Sequence, residues 1–374
     1  MKRKFATFMV MLLAFALLIG TTAITVSAET TYTPVGGSTT FVKNLVVDEN
    51  ANIPNLTFNY SVKRGTAVVA TSSNIEILVS GSGGGSIGMA EFSNDDTPNT
   101  IAGIPTDADP TNPTAGKKYA QKAVTVTFPN TSFDKPGVYR YEISEIIPNP
   151  PLAGVTYDTN STRYLDVFVV ADENNVLSVD SYVLRDAATN IGIDGKYVTD
   201  SDKKSAGYTN SLTQYDFDFS KTIGGNQGDK NKRFDFTLNI SDANPGVYPV
   251  ITNDVTDNPT SITVIANGTA TATYKLTNGS TVQVIGLNAG AVCTVTENAE
   301  DYTATHSLDA AAAVSGNSCT VTLADDNHSV AFTNTRTGII PTGIIMTIAP
   351  FAVGILVFGG VIVLIIYKRK KRLY

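Results

Sequence analysis

Between its two ends the chain alternates. Run after run carries an apolar residue at every second position, as at Phe41, Leu45 and Val47 or at Phe217, Phe219 and Ile223. Residues two apart in a strand face the same way, so each run predicts a strand with one buried face. The runs are separated by clusters of Gly, Pro, Asn, Asp and Ser, which favour turns. Helical periodicity is nearly absent outside the termini. The pattern predicts an all-β protein.

The same pattern is written twice. The first pass opens with Phe41-Val42-Lys43-Asn44-Leu45-Val46-Val47, has a late strand at Val138 to Glu145, and closes with Gly207-Tyr208-Thr209-Asn210-Ser211-Leu212. The second opens with Phe217-Asp218-Phe219-Ser220-Lys221-Thr222-Ile223, has its late strand at Val292 to Glu297, and closes with Val330-Ala331-Phe332-Thr333-Asn334-Thr335. Two modules are expected, 29–213 and 214–336, with a boundary near Thr213 to Tyr215. The first is longer because of loops at Ser80 to Gly88 and Ser93 to Lys118.

Six polar residues fall on the apolar face. Lys43 alternates with Phe41 and Leu45, and Lys221 with Phe219 and Ile223. Glu145 follows Tyr141 and Ile143 and is followed by Ile147; Glu297 follows Cys293 and Val295. Asn210 lies between Tyr208 and Leu212, and Asn334 after Phe332. An unpartnered buried Lys or Glu is costly. Two parallel sets of Lys, Glu and Asn, in one order, point to two buried Lys–Glu ion pairs capped by Asn, or to chemistry. In an apolar site the Lys pKa falls and the Glu pKa rises. A neutral Lys amine is a nucleophile, and a protonated Glu can polarise the Asn side-chain carbonyl. Attack would then expel ammonia and leave a Lys–Asn isopeptide bond. Periodicity leaves both outcomes open.

The ends break the alternation. Lys2, Arg3 and Lys4 precede an apolar stretch and the small-x-small run Val26-Ser27-Ala28, the layout of a secretory signal peptide over 1–28. Ile344 to Tyr367 spans 24 residues without a charge and is followed by Lys368 to Arg372. That is long enough for a transmembrane helix, with the basic tail on the cytoplasmic side. Just before it stands Ile340-Pro341-Thr342-Gly343. The order of motif, apolar helix and basic tail over 337–374 resembles a sortase sorting signal, close to a Val-Pro-Thr-Gly variant. It implies cleavage after Thr342.

Composition narrows the partners. Between Glu29 and Thr342 the acids outnumber Lys and Arg by 15, a surface that repels nucleic acid and anionic lipid. Cys293 and Cys319 both alternate with apolar residues; a bridge between them and two buried free thiols are both open. There is no Cys/His metal spacing, no Ser/His/Asp set and no phosphate loop, so neither enzyme activity nor a cofactor is expected. His306 and His328 stand in polar surroundings. Asp95, Asp96, Asp107 and Asp109 suit a solvated loop better than a calcium site.

The residues quoted resemble the Gram-positive, streptococcal-type major pilins built from Ig-like, Cna protein B-type domains. Pro136-Gly137-Val138-Tyr139, Val155-Thr156-Tyr157-Asp158-Thr159 and Gly224-Gly225-Asn226-Gln227-Gly228-Asp229 add to the likeness. The resemblance implies two self-formed isopeptide bonds, Lys43–Asn210 with Glu145 and Lys221–Asn334 with Glu297. It implies a shaft subunit, polymerised when a pilin-type sortase joins Thr342 to a lysine of the next identical subunit. Lys203 or Lys204, with Lys196 behind them, occupy the stretch where that lysine is expected. Minor pilins, peptidoglycan and a host surface ligand are the further partners, and the cell surface the location. A monomeric wall-anchored adhesin would share every one of these features except the polymer.

Overall fold

The computed structural model describes residues 31–79, 84–96, 116–198 and 204–338. The signal peptide, residues 339–374 with the sorting motif and apolar stretch, Asp107, Asp109 and Lys203 lie outside the described residues. Among those described, every regular element is a strand.

The first module is a sandwich of two sheets. One runs Ser86–Ile87, Lys117–Phe133, Val35–Asp48, Gly207–Leu212, Val155–Thr156; the other runs Leu177–Arg185, Thr162–Ala171, Gly137–Ile146, Leu56–Arg64, Ala90–Phe92, with Ile77–Leu78 beside Gly137–Ile146. Phe41, Leu45 and Val47 from the first face meet Tyr139, Tyr141 and Ile143 from the second, all buried. The second module repeats the plan. Its larger sheet places Gln214–Gly224 between Thr281–Asn288 and His328–Thr335, and its smaller one runs Ala270–Leu276, Phe234–Ser241, Val292–Glu297, Ser318–Thr322. The two modules have separate apolar cores.

One feature of the topology positions the site. In each module the opening and closing strands lie side by side and parallel, while the glutamate strand belongs to the facing sheet. The register is the same in both. Lys43 lies opposite Tyr208 and Leu45 opposite Asn210; Lys221 lies opposite Phe332 and Ile223 opposite Asn334. The Asn is therefore two residues further along than the Lys, on the same inward face. Gly207 starts the closing strand at φ 144°, where a β-carbon would stand 1.8 Å from the Val42 carbonyl oxygen. Only glycine allows the closing strand to draw so near the opening one at that point.

The alternation holds to the end of the glutamate strand and then fails. Ile147, expected on the buried face, is 46% exposed. The strand stops at Ile146, because Pro148, Pro150 and Pro151 follow and proline cannot donate to a sheet ladder.

The modules meet without a linker. Leu212 ends one strand and Gln214 begins the next. The Gln214 side chain accepts from the Asp48 N–H at 3.2 Å and donates to the Gly286 carbonyl at 2.7 Å, tying the opening strand of one module to the other. Asn94 pairs with both the N–H (2.7 Å) and the carbonyl (2.9 Å) of Val247.

Candidate functional site

Each sandwich brings its Lys, Glu and Asn together in the dry interior. Lys43 and Asn210 are fully buried, and Glu145 nearly so. Lys43 Nζ lies 2.5 Å from Glu145 Oε1, and Asn210 Nδ2 donates to that same oxygen at 2.9 Å. In the second module Lys221 Nζ stands 2.6 Å from Glu297 Oε1, off the line of a good hydrogen bond, and Asn334 Nδ2 donates to Glu297 Oε1 at 2.7 Å. One carboxylate oxygen thus sits between the amine and the amide in both modules. The other, Oε2, is buried without a partner in each.

Aromatic rings form the floor. Lys43 Nζ lies 4.5 Å from the centre of the Phe58 ring, and Lys221 Nζ 4.6 Å from that of Phe234. Two residues on, Tyr60 and Phe236 stand opposite Glu145 and Glu297 on the neighbouring strand. Water is excluded, which fixes the electrostatics. Burial pulls the Lys43 and Lys221 ammonium pKa values down to about 8, against the glutamates, which act to raise them. Burial pushes the Glu297 carboxyl up. The proton between amine and acid is thereby less firmly held on the amine than in water, and the neutral pair comes within reach.

The two amides differ in their second contact. Asn210 Oδ1 accepts from the backbone N–H of Asp158 at 2.9 Å; Asn334 Oδ1 is buried with no partner. The carboxyl was expected to reach the amide carbonyl, but it faces the amide nitrogen in both modules. In the first, the Asp158 N–H claims the oxygen.

The remaining candidates are placed separately. Lys204 is exposed and pairs through its backbone with Arg185, and Lys196 reaches out to Asp194 at 3.6 Å. Asp96 is occupied by Lys122 and by the Ser93 N–H, and no cluster of metal-ligand type occurs among the described residues. Cys293 and Cys319 are both buried and free, so the bridge left open by the sequence is not formed. Cys293 lies opposite Val321 and Cys319 opposite Val295, which puts the thiols on a diagonal instead of face to face.

Phe58, Phe234 and Asp158 were not among the sequence candidates for the site. The two phenylalanines carry a faint signal, since Phe58-Asn59-Tyr60 and Phe234-Asp235-Phe236 are matching aromatic pairs at the second strand of each module. Asp158 acts through its backbone, and its side chain gives no clue to that.

Two family models match parts of this chain. Residues 90–213 match the family described as a Spy0128-like isopeptide containing domain, a span that holds Glu145 and Asn210 but not Lys43. A curated pilin of Streptococcus pyogenes serotype M1 is 28% identical over 94% of this chain and 96% of its own length. The chain is a relative of the streptococcal pilins. Residues 215–336, with all three polar residues of the second module, match a domain family of unknown function. The crystal structure of the major pilin from Streptococcus pyogenes shares the fold at TM-score 0.50 and 22% identity, over 81% of this chain and 99% of that one. A second major pilin from that species, T3.2, matches at TM-score 0.50 and 20% identity over 80% and 99%.

Proposed function

We propose that this pilin relative is the shaft subunit of a covalent surface pilus, and that each of its sandwiches is closed by a self-formed isopeptide bond. The observation that carries the reading is the duplicated buried triad, with its common two-residue offset between Lys and Asn on parallel strands. A structural ion pair needs neither the third residue nor the repeat.

The chemistry balances within each triad. The Lys ammonium passes one proton to Glu Oε1, leaving a neutral amine and a neutral acid. The amine attacks the Asn Cγ, and the Glu carries protons from the attacking nitrogen to Nδ2. The Cγ–Nδ2 bond breaks and ammonia leaves. The products are a secondary amide, ammonia and a protonated Glu. The protein is its own substrate and turns over once, so it is not an enzyme in the ordinary sense.

Covalent closure suits a shaft. The bond joins the first and last strands of each module, so tension along the chain runs through a covalent link instead of a hydrogen-bonded ladder. Polymerisation is a separate reaction. A sortase acyl-enzyme at Thr342 is resolved by the amine of Lys203 or Lys204 on the next subunit, with export and membrane retention supplied by the two ends of the precursor. The exposure of Lys204 supports its access to such an enzyme.

Intact mass tests the cross-links, because each isopeptide bond removes one ammonia, about 17 Da. A deficit of two ammonia masses is expected for the exported chain; the plain sequence mass would sink the reading. The shaft is tested on denaturing gels of surface extracts. A covalent ladder that disappears when Lys203 and Lys204 are both replaced by Ala is expected, whereas a single band from the unaltered chain makes the protein a monomeric adhesin.

A further inference from the structure

We infer that the backbone N–H of Asp158 is the oxyanion-binding donor of the first module's cross-linking reaction, and that Asp158 and Arg163 are positioning residues that aim it. The inference rests on the isopeptide reading above and adds a reacting group that lies outside the triad.

When the Lys43 amine attacks Asn210 Cγ, the carbon becomes tetrahedral and the negative charge collects on Oδ1. A fixed donor on that atom lowers the barrier because it is already in place as the charge develops. The Asp158 N–H donates to Asn210 Oδ1 at 2.9 Å. It also settles which way the amide points. An N–H can face only an acceptor, so Oδ1 turns towards Asp158 and Nδ2 towards Glu145, the group that must protonate the departing nitrogen. One backbone contact therefore sets both the oxyanion and the leaving group.

Asp158 is held for the task. Its Oδ2 accepts from Arg163 Nη2 at 3.0 Å and from the Thr209 N–H at 3.1 Å, and its Oδ1 accepts from the Asn160 N–H at 3.0 Å. Thr209 is the residue just before Asn210, so the aspartate grips the closing strand beside the reacting amide. Arg163 is itself buried, donates to Ser205 Oγ at 2.9 Å and lies over the Tyr208 ring at 4.8 Å. Nothing comparable touches Asn334 Oδ1. The second module thus serves as a control inside the same chain.

The test uses the full chain made by cell-free translation, quenched at intervals and digested. The peptide pair joined through Lys43 and Asn210 is counted against the pair joined through Lys221 and Asn334. Asp158→Ala should slow the first cross-link by about tenfold or more and leave the second unchanged, the range expected when an oxyanion donor is loosened. Asp158→Asn, which keeps an acceptor for the Thr209 N–H, should recover much of the rate. Equal rates in Asp158→Ala and the parent overturn the inference and leave the isopeptide reading intact; a parent that never joins Lys43 to Asn210 overturns both. Should Asp158→Ala not fold, amide hydrogen exchange in the Lys43→Met chain gives the second measurement. Slow exchange at Asp158 supports the donor, and exchange as fast as at a solvated loop position rules it out.

Discussion

The two modules hold the same three side chains in the same register, yet surround them differently. In the first, the amide oxygen is fixed by a backbone donor and the aspartate behind it is clamped by Arg163. In the second, the oxygen has no partner and the triad is walled by apolar side chains and rings. The common part, an amine, an acid and an amide over an aromatic floor, is what the proposed bond-forming step needs. The differing part adjusts how tightly the reactants are aimed. The first module also carries a buried charge network of its own: Arg140 holds Asp166 through two hydrogen bonds at 2.6 and 2.8 Å, and Tyr197, in the segment after Leu177–Arg185, donates to Asp166 at 2.8 Å. In the shorter module the Lys232–Glu300 and Lys275–Asp235 pairs lie nearer solvent.

The largest expected effect removes the acid. Glu145→Ala and Glu297→Ala should each restore one ammonia mass, and each should lose a cross-link closing 167 or 113 residues. Closure entropy varies only with the logarithm of loop length, so both losses are about 5 kcal/mol by the chain-entropy account. The unpaired buried Lys adds about 3–5 kcal/mol more. Because the melting shift per kcal/mol shrinks with domain size, the second module should fall further in temperature, by roughly 20 °C for the cross-link alone. Calorimetry of the two variants checks the ordering. A larger drop for Glu145→Ala would show that the modules do not unfold independently.

Next in size is a pH dependence that appears only when the bond cannot form. In Asn210→Ala or Asn334→Ala the Lys remains free. Burial lowers its folded pKa to about 8 from 10.5. Between these values the unfolded chain binds more protons than the folded one, so stability should rise with pH from about 8 to 10.5. Glu297 has the opposite slope. Its folded pKa is raised above 4.5, so stability is greatest below pH 4.5 and is lost as pH rises through the folded value. Denaturant titrations of Asn334→Ala should therefore show least stability at intermediate pH. The cross-linked parent, which lacks a titrating amine at Lys221, should lack the upper limb; finding that limb in the parent counts against the bond.

Why some of this was legible follows from where the information lies. Lys43, Glu145 and their counterparts stand out because a charge at an inward position of an alternating strand is rare and costly. The all-β architecture followed from the same alternation. The aromatic floor did not stand out, since Phe58 and Phe234 at inward positions look like any core residue. The Asp158 N–H left no trace, because every residue but proline has one and its partner, Asn210, lies 52 residues further along the chain. Ile147 was misplaced because alternation continues on paper past the point where prolines end the ladder.

A smaller test bears on the shared floor. Phe58→Leu and Phe234→Leu keep an apolar surface but remove the ring beneath the ammonium. In chains that cannot cross-link, each should cost about 2 kcal/mol for the desolvated cation–ring contact, besides about 1 kcal/mol of packing. In cross-linked chains the amine has become an amide, so only the packing loss should remain. Equal costs in the two backgrounds would mean that the ring acts by shape alone.

The smallest expected effect is none at all, and it separates the modules by their thiols. Cys293 and Cys319 occur only in the second module, on neighbouring strands but offset so that each faces a valine. Burial pushes the Cys293 thiol up to about 12 and raises that of Cys319 as well, so the thiolate needed for exchange is scarce near neutral pH. The covalent closure proposed for this module runs through Lys221 and Asn334, and a disulfide between adjacent strands of one sheet would close only a short loop inside it. Reductant should leave the melting temperature of either module unchanged, and an alkylating reagent should modify both cysteines only after unfolding. A drop on reduction confined to the second module would show that the strands shift enough to bring the two sulfurs together, and that this sheet is less rigid than its register implies.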